Sequence, residues 1–454
     1  MATMTRTASF PRSRRRTILR LLSLAGLCVA SASVAAEAAP ALAFPGAQGW
    51  AAHTPGGRGG AILRVTTLAP QGPGSLRAAI EAKGPRIVVF EVGGVIDLGK
   101  TRLLVTEPFL TVAGQTAPAP GITLIRGGIN VSTHDVVIRH LAVRAGSAET
   151  PRMGGWDIDA FSTQAGARDV IVDHCSFTWA TDENLSASGA RFEGADPQAW
   201  RERMSHRITY SHNIIAEGLA DSSHSKGEHS KGSLIHDNAS DILIVGNLYA
   251  HNHERNPLFK GGARGMVVNN LIYDPGPRAV HYNLIAEEWI EHPYELGRLA
   301  LIGNVLRAGP STPPELALFM LGGSGDLELY RDDNLAVDRL GRPLPQLGSY
   351  TTGRARLIEL AERPALPIGV APLAAIDVQD AVIREAGARP WDRDPIDRRI
   401  VADTIEGRGR IIDDQSEVGG YPVRAATRKA FVPAEWNLDD MSPRTPPVRS
   451  PPPR

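Results

Sequence analysis

The sequence predicts an all-β solenoid, a parallel β-helix, and three observations carry that expectation. Short β-rich runs recur with a shared ending: VVIRHL, VIVDHC, ITYSHN, ILIVGN, MVVNNL and LALIGN. Aligning His140, His174, His212, Gly246, Asn269 and Gly303 gives successive spacings of 34, 38, 34, 23 and 34 residues. The 46 glycines and 34 prolines are spread along the chain, while aromatic residues and helical periodicity are scarce. Repeats of this length mark units that bury a core only by stacking on their neighbours. Because the units are strands, coils of a parallel β-helix fit best, with turn Asn and His side chains stacked in ladders along the axis. A β-sandwich is the alternative and suits the spacing less well.

Along the 454 residues, the first segment is set apart from the fold. The basic RSRRRTILR precedes the apolar LLSLAGLCVASASVAA and the small-residue site APALA, the order of a secretory signal peptide over residues 1–43. SRRRTIL also resembles a twin-arginine signal, so both the Sec and the Tat route stay open. Cys28 follows Leu27, which is too large for a lipid-anchor site. The expected mature chain starts near Phe44 and is secreted or periplasmic. Later stretches fall short of the roughly 20 apolar residues a membrane span needs.

Removing residues 1–43 takes away six arginines and one glutamate. The 49 basic and 49 acidic residues become 43 and 48, a net charge of −5. That balance excludes nucleic acid as the expected partner and requires local cations for any anionic ligand. Cys175 alone remains, so no intramolecular disulfide is expected. The predicted coils occupy residues 44–309. Residues 310–420 read as a mostly irregular C-terminal extension packed on them, with a helix in IDVQDAVIREAGA and a helix and strand in RDPIDRRIVADTIEGRGRIID. Residues 421–454 read as a Pro-rich tail without core, disordered by composition.

Several motifs in one order, FPGAQGWAAHTPGGRGG, GSLRAAI, GGVIDL, GQTAPAPGITL, VDHCSFTWATDE and RNPLFK, resemble the pectate lyases of polysaccharide lyase family 1. The resemblance covers most of the chain from Phe44 to about Asn304. It implies a right-handed parallel β-helix that cleaves polygalacturonate by calcium-dependent β-elimination, acting as a monomer on pectate or a related uronan.

That chemistry needs oxygen ligands for a divalent cation, a base, and cations for uronate carboxylates. GGWDIDAF offers Asp157 and Asp159, which share one side if they lie on a strand, and hard oxygen donors suit Ca2+. Solvated loop acids are the competing reading. One coil later, TDEN adds Asp182 and Glu183. The resemblance places calcium ligands at both spots. The family pattern often carries a further acid where this chain has Ser186 and Ala187.

In the family motif R-x-P-x-x-R this chain has Arg255, Pro257 and Lys260. The resemblance implies that Arg255 is the proton acceptor and Lys260 a substrate cation. Lys260 lacks the planar fork of arginine. In HSKGEHSKG, Lys231 matches the family's substrate lysine best and Lys226 is a second candidate. A zinc site would use His224, His229, His251 or His253, none at a recognisable ligand spacing. The rivals are a polygalacturonase-type hydrolase with paired acids and a non-catalytic glycan-binding solenoid.

Overall fold

In the computed structural model of this chain, residues 40–229 and 231–445 are described. Most of the predicted signal segment and the last nine residues of the tail lie outside them. The strands form three stacks, and within each stack successive coils pair in parallel. The first stack is an eleven-stranded sheet running from Ala61–Val65 to Leu357–Glu359. Two long strands, Val92–Val105 and Ile122–Val131, each run through the second stack into the third. Thereafter a coil visits each stack once. Arg168–Asp173, Ser176–Thr178 and Glu183–Ala187 make one such coil, and His206–Ser211, Ile214–Ala216 and Lys231–Ile235 make the next.

Alternation along each strand sends every second side chain inward. Val170, Val172, Phe177, Leu185, Ile208, Tyr210, Ile235 and Phe259 meet there in one continuous buried core. The register stacks like on like, with Ile208 between Val170 and Ile242.

The aligned repeat positions are the turn from the first stack to the second. His140, His174, His212, Gly246, Asn269 and Gly303 all have φ between 51° and 67°. This left-handed conformation is costly for most residues and most tolerable for Gly, Asn and His, which explains the shared ending. The imidazoles of His140, His174 and His212 stack at centroid separations of 5.2 and 4.7 Å. The next residue along forms the predicted ladder. Asn213, Asn247, Asn270 and Asn304 each donate a side-chain hydrogen bond to the asparagine of the next coil at 2.9–3.0 Å, and Asn334 accepts the last of them. Asn247 also accepts from the Asn213 backbone N–H and donates to the Tyr210 carbonyl. Asn247→Ala is therefore expected to cost about 1–3 kcal/mol by stranding buried partners, read as a lowered urea midpoint.

Two sequence expectations need correction. The coils do not stop at residue 309: Phe319–Gly323, Leu327–Asp332, Leu335–Val337, Leu347–Ser349 and Leu357–Glu359 extend all three stacks. Asp333 repeats the positive-φ turn and Asn334 ends the ladder. The segment from 421 is not a disordered tail as far as residue 445. Phe431 and Met441 are buried against Ile87, Val89 and Ala113, and Thr427–Arg428 pairs antiparallel with Val92 and Gly93.

Five α-helices lie among the described residues: α1 (Leu76–Ile80), α2 (Pro197–Arg203), α3 (Ala286–Trp289), α4 (Ala375–Glu385) and α5 (Pro395–Glu406). α4 and α5 are the two helices expected in the extension. α5 starts where the Asp394 side chain caps the Asp397 N–H and ends at left-handed Gly407. No strand forms between Gly407 and Asp413. Val378, Val382, Ile400 and Val401 pack on Ile214, Leu248, Leu271 and Val305, the outward side of the second stack.

Candidate functional site

Three carboxylates converge where the chain enters the third stack. Asp157 and Asp159 precede the strand Phe161–Thr163 in irregular backbone rather than lying on a strand. Ile158 between them is buried in the core. One coil on, the Asp182 N–H donates to the Ile158 carbonyl and the Glu183 N–H donates to Asp159 Oδ1 at 3.1 Å. Coil stacking thus sets Asp159, Asp182 and Glu183 with carboxylate oxygens within 4.8 Å of one another. Burial and the Asp182 charge raise the pKa of Asp159. A carboxylate pushed towards its neutral form by another acid marks a place that favours a cation.

Ser186, standing where the family pattern often has an acid, donates its hydroxyl to Asp159 Oδ2 at 2.8 Å. It joins the cluster as a neutral oxygen. Asp157 turns to the side, accepting from the Ser225 N–H and hydroxyl at 2.8 and 2.6 Å. Lys226, the next residue, is exposed.

Sequence reasoning named His224 and His229 only among four zinc candidates and did not pair them with Asp182. His224 and His229 stack at 3.7 Å and 7°, and His229 Nε2 lies 2.7 Å from Asp182 Oδ1. The two rings draw the Asp182 carboxyl below the usual carboxylate range against the effect of its burial. His224 Nδ1 accepts the Lys226 N–H, so in the neutral ring Nε2 carries the proton. That nitrogen faces Asp182 and Asp157 at 3.6 and 3.9 Å as a donor, which opposes a zinc reading. His251 is fully buried against Asp274 Oδ2 at 2.8 Å, and His253 lies 3.5 Å from Glu228. Sequence spacing gave no sign of the pair; coil stacking alone makes it.

Arg255 reaches this cluster from the following coils. Its φ is +62°, and its Nη1 donates to Glu183 Oε1. A buried amide chain holds the turn: Asn184 Nδ2 donates to Asn252 Oδ1 and Asn252 Nδ2 to Asn256 Oδ1, each at 3.0 Å. Burial lowers the Arg255 pKa, with Asp182 and Asp159 opposing.

The two lysines are less open than the motif implies. Lys231 pairs opposite Glu183 in the strand register and is held by Glu254 Oε1. Burial, with Arg278 nearby, pushes its ammonium down to about 7 against the pull of Glu228 and Asp182. Lys260 is 6% exposed, held by Glu288 and 3.6 Å from Asp237. A cavity of about 800 Å³ lies elsewhere, beside His140, His174, Trp391 and Trp436, and holds none of these residues.

The arrangement can hold a hard divalent cation among oxygens and presents a guanidinium to whatever that cation binds. Known proteins resemble the chain over most of its length. A probable pectate lyase C from Aspergillus terreus is 31% identical over 413 residues, covering 88% of this chain and 85% of that protein. The probable pectate lyase C of Neosartorya fischeri is 32% identical over 407 residues, covering 87% and 85%. No family model matches the chain. Among solved structures, the cedar-pollen allergen Jun a 1 superposes with a TM-score of 0.53 at 16% identity, over 75% of this chain and 92% of that one. A Bacillus subtilis pectate lyase gives 0.50 at 15% identity, over 78% and 99%. These two carry the expected right-handed parallel β-helix over to this chain as its fold.

Proposed function

This chain belongs to the pectate lyase family, and from that premise we propose that it cleaves pectate by calcium-assisted β-elimination with Arg255 as the base. One observation carries the reading: Arg255 Nη1 faces the very carboxylate, Glu183, that shares a 4.8 Å cluster with Asp159 and Asp182. The donors are oxygens, of the kind calcium takes. Asp159, Asp182 and Glu183 would hold the ion, with Asp157 beside them. Bound there, calcium would offset the uronate carboxylate and acidify the proton at C5.

The chain's own residues supply the rest. Released from Glu183 and having given up a proton to solvent, Arg255 takes the C5 proton as the neutral guanidine and becomes guanidinium. The electrons left on C5 form the C4–C5 double bond as the C4–O bond breaks, and solvent protonates the departing oxygen. A guanidinium holds its proton strongly, so the lowered pKa of Arg255 works in the required direction. Lys226, Lys231 and Lys260 are the cations offered to neighbouring carboxylates. An export signal in residues 1–43 would put this activity outside the cytoplasm, on an acidic polymer.

Two measurements test the reading together. Polygalacturonate is expected to yield products with an unsaturated uronate end, seen by ultraviolet absorbance; saturated ends would mean hydrolysis. Thorough chelation is expected to abolish the activity, and full activity without divalent cations would remove calcium from it. With Ser186 in place of an acid, calcium should bind weakly alone and more tightly with oligogalacturonate present. Asp159 has a raised pKa, so the ion must displace its proton at low pH. Calcium affinity by calorimetry should therefore fall as the pH drops through that raised value, and affinity independent of pH would exclude Asp159.

A further inference from the structure

The cavity of about 800 Å³ lies at the turn from the first stack to the second, the corner of the coil opposite the third stack. Its volume is that of a small-molecule site. Three parts of the chain wall it: Arg139, His140 and His174 from the turns, Trp391 from between α4 and α5, and Trp436 and Arg444 from the packed C-terminal segment.

Each wall offers groups that the fold leaves open. Arg139 gives its Nε to Asp173 at 2.9 Å, and its guanidinium carbon lies 3.8 Å from the Phe44 ring centroid. Its two terminal nitrogens have no hydrogen-bond partner among the described residues. Arg444, exposed at the rim, makes no ion pair among them. The acids of the lining are already answered, Glu435 by Lys429 at 2.9 Å and Glu385 by Arg384 at 3.1 Å. Open guanidinium forks suit a carboxylate, which takes paired N–H donors.

The rings complement that charge. His140 Nδ1 donates to the Ala388 carbonyl at 2.9 Å, and His174 Nδ1 donates to Asp173 Oδ2 at 2.7 Å. Burial lowers both pKa values, so the imidazoles are neutral and each Nε2 is an acceptor for a hydroxyl. A metal ion fits less well. Asp173 already accepts from Arg139 and His174 on one oxygen and from Ser211 and His212 on the other. Trp391 packs edge-on against His140 at 5.0 Å, and Trp436 lies along Phe431 at 6.3 Å and 24°. Neither indole N–H has a partner among the described residues, and neither is buried. An indole offers its face to the C–H side of a sugar ring and its N–H to a hydroxyl.

We infer that this cavity is a second, non-catalytic site for a uronate-bearing saccharide. Its carboxylate would sit on Arg139 and Arg444, its hydroxyls on His140 and His174, and its ring faces on Trp391 and Trp436. The site is separate from the acid cluster and Arg255, and it goes beyond the lyase reading without depending on it.

The test is calorimetry of the full chain with trigalacturonate under thorough chelation, so that the acid cluster holds no ion. Saturable binding of one saccharide per chain is expected, with a change in tryptophan fluorescence. Arg444 is exposed, so Arg444→Gln should fold. It should weaken the binding by about tenfold, the scale of one charge-assisted hydrogen bond. Trp391→Phe keeps a ring against His140 and should remove most of the fluorescence change. Arg255→Lys should leave the affinity as it is; a loss there would place the binding at the third stack and overturn the inference. An affinity that neither Arg444→Gln nor Trp391→Phe alters, or no saturable binding under chelation, would overturn it as well. A neutral galactose trisaccharide should bind about tenfold less tightly, and equal affinity would rule out the uronate. Unsaturated product, or its absence, bears on the lyase reading alone.

Discussion

Arg255→Lys is expected to lower the turnover number by at least about two orders of magnitude, the lower range for loss of a general base. The Michaelis constant should change far less. Lysine keeps a positive charge near Glu183 but presents one nitrogen on a flexible stem in place of a rigid fork. Arg255 holds its guanidinium against Glu183 from a residue with φ of +62°, braced by the buried Asn184–Asn252–Asn256 chain. That bracing orients the group for a proton transfer more than for ground-state binding. Lys260→Ala should show the opposite pattern, raising KM more than it lowers kcat. A fully active Arg255→Lys enzyme would remove Arg255 from the mechanism.

Arg144→Ala should destabilise the protein by about 3–5 kcal/mol, the cost of breaking a buried ion pair from one side. The Arg144 side chain is 0% exposed on the second stack. Its Nη2 lies 2.6 Å from Asp397 and 3.1 Å from Asp394, both at the start of α5. Ser176 donates to the other oxygen of Asp397 at 2.6 Å, and Arg424 lies 3.1 Å from Asp394. Removing the guanidinium leaves two carboxylates enclosed with less than their charge complement. Urea unfolding should show the loss directly. Replacing Arg144 by Met together with Asp397→Asn should recover much of it, because Asp394 then keeps Arg424 as its partner and Asp397 carries no charge. A loss below about 1 kcal/mol for Arg144→Ala would mean that the clamp is solvated like a surface pair.

Much of the fold could be read from residues with a local cause. The turn between the first and second stacks needs a left-handed residue followed by one that can bridge coils. That need writes His-Asn, Gly-Asn and Asn-Asn into four of the six aligned repeats, after His-Leu and His-Cys at the first two. The same signal was present in RDDNLAV, where Asp333 and Asn334 continue the pattern, yet the looser spacing after Gly309 hid it. The packed segment up to residue 445 was hidden differently. Its prolines describe a chain without helix or strand, and Phe431 and Met441 find their apolar partners hundreds of residues away.

The candidate site divides along the same line. The sequence by itself determined which residue types are present: an acid pair in GGWDIDAF, a second in TDEN, and a cation motif around Pro257. Only the tertiary structure decided what each side chain meets. It brought His224 and His229 onto Asp182, set Ser186 against Asp159, and enclosed Lys231 and Lys260 with Glu254 and Glu288. Strand alternation and turn conformation act over a few residues and leave a mark in the chain. Charge pairing in a solenoid acts between coils, across 20 to 40 residues, and depends on which side chains the stacking places within a few ångströms.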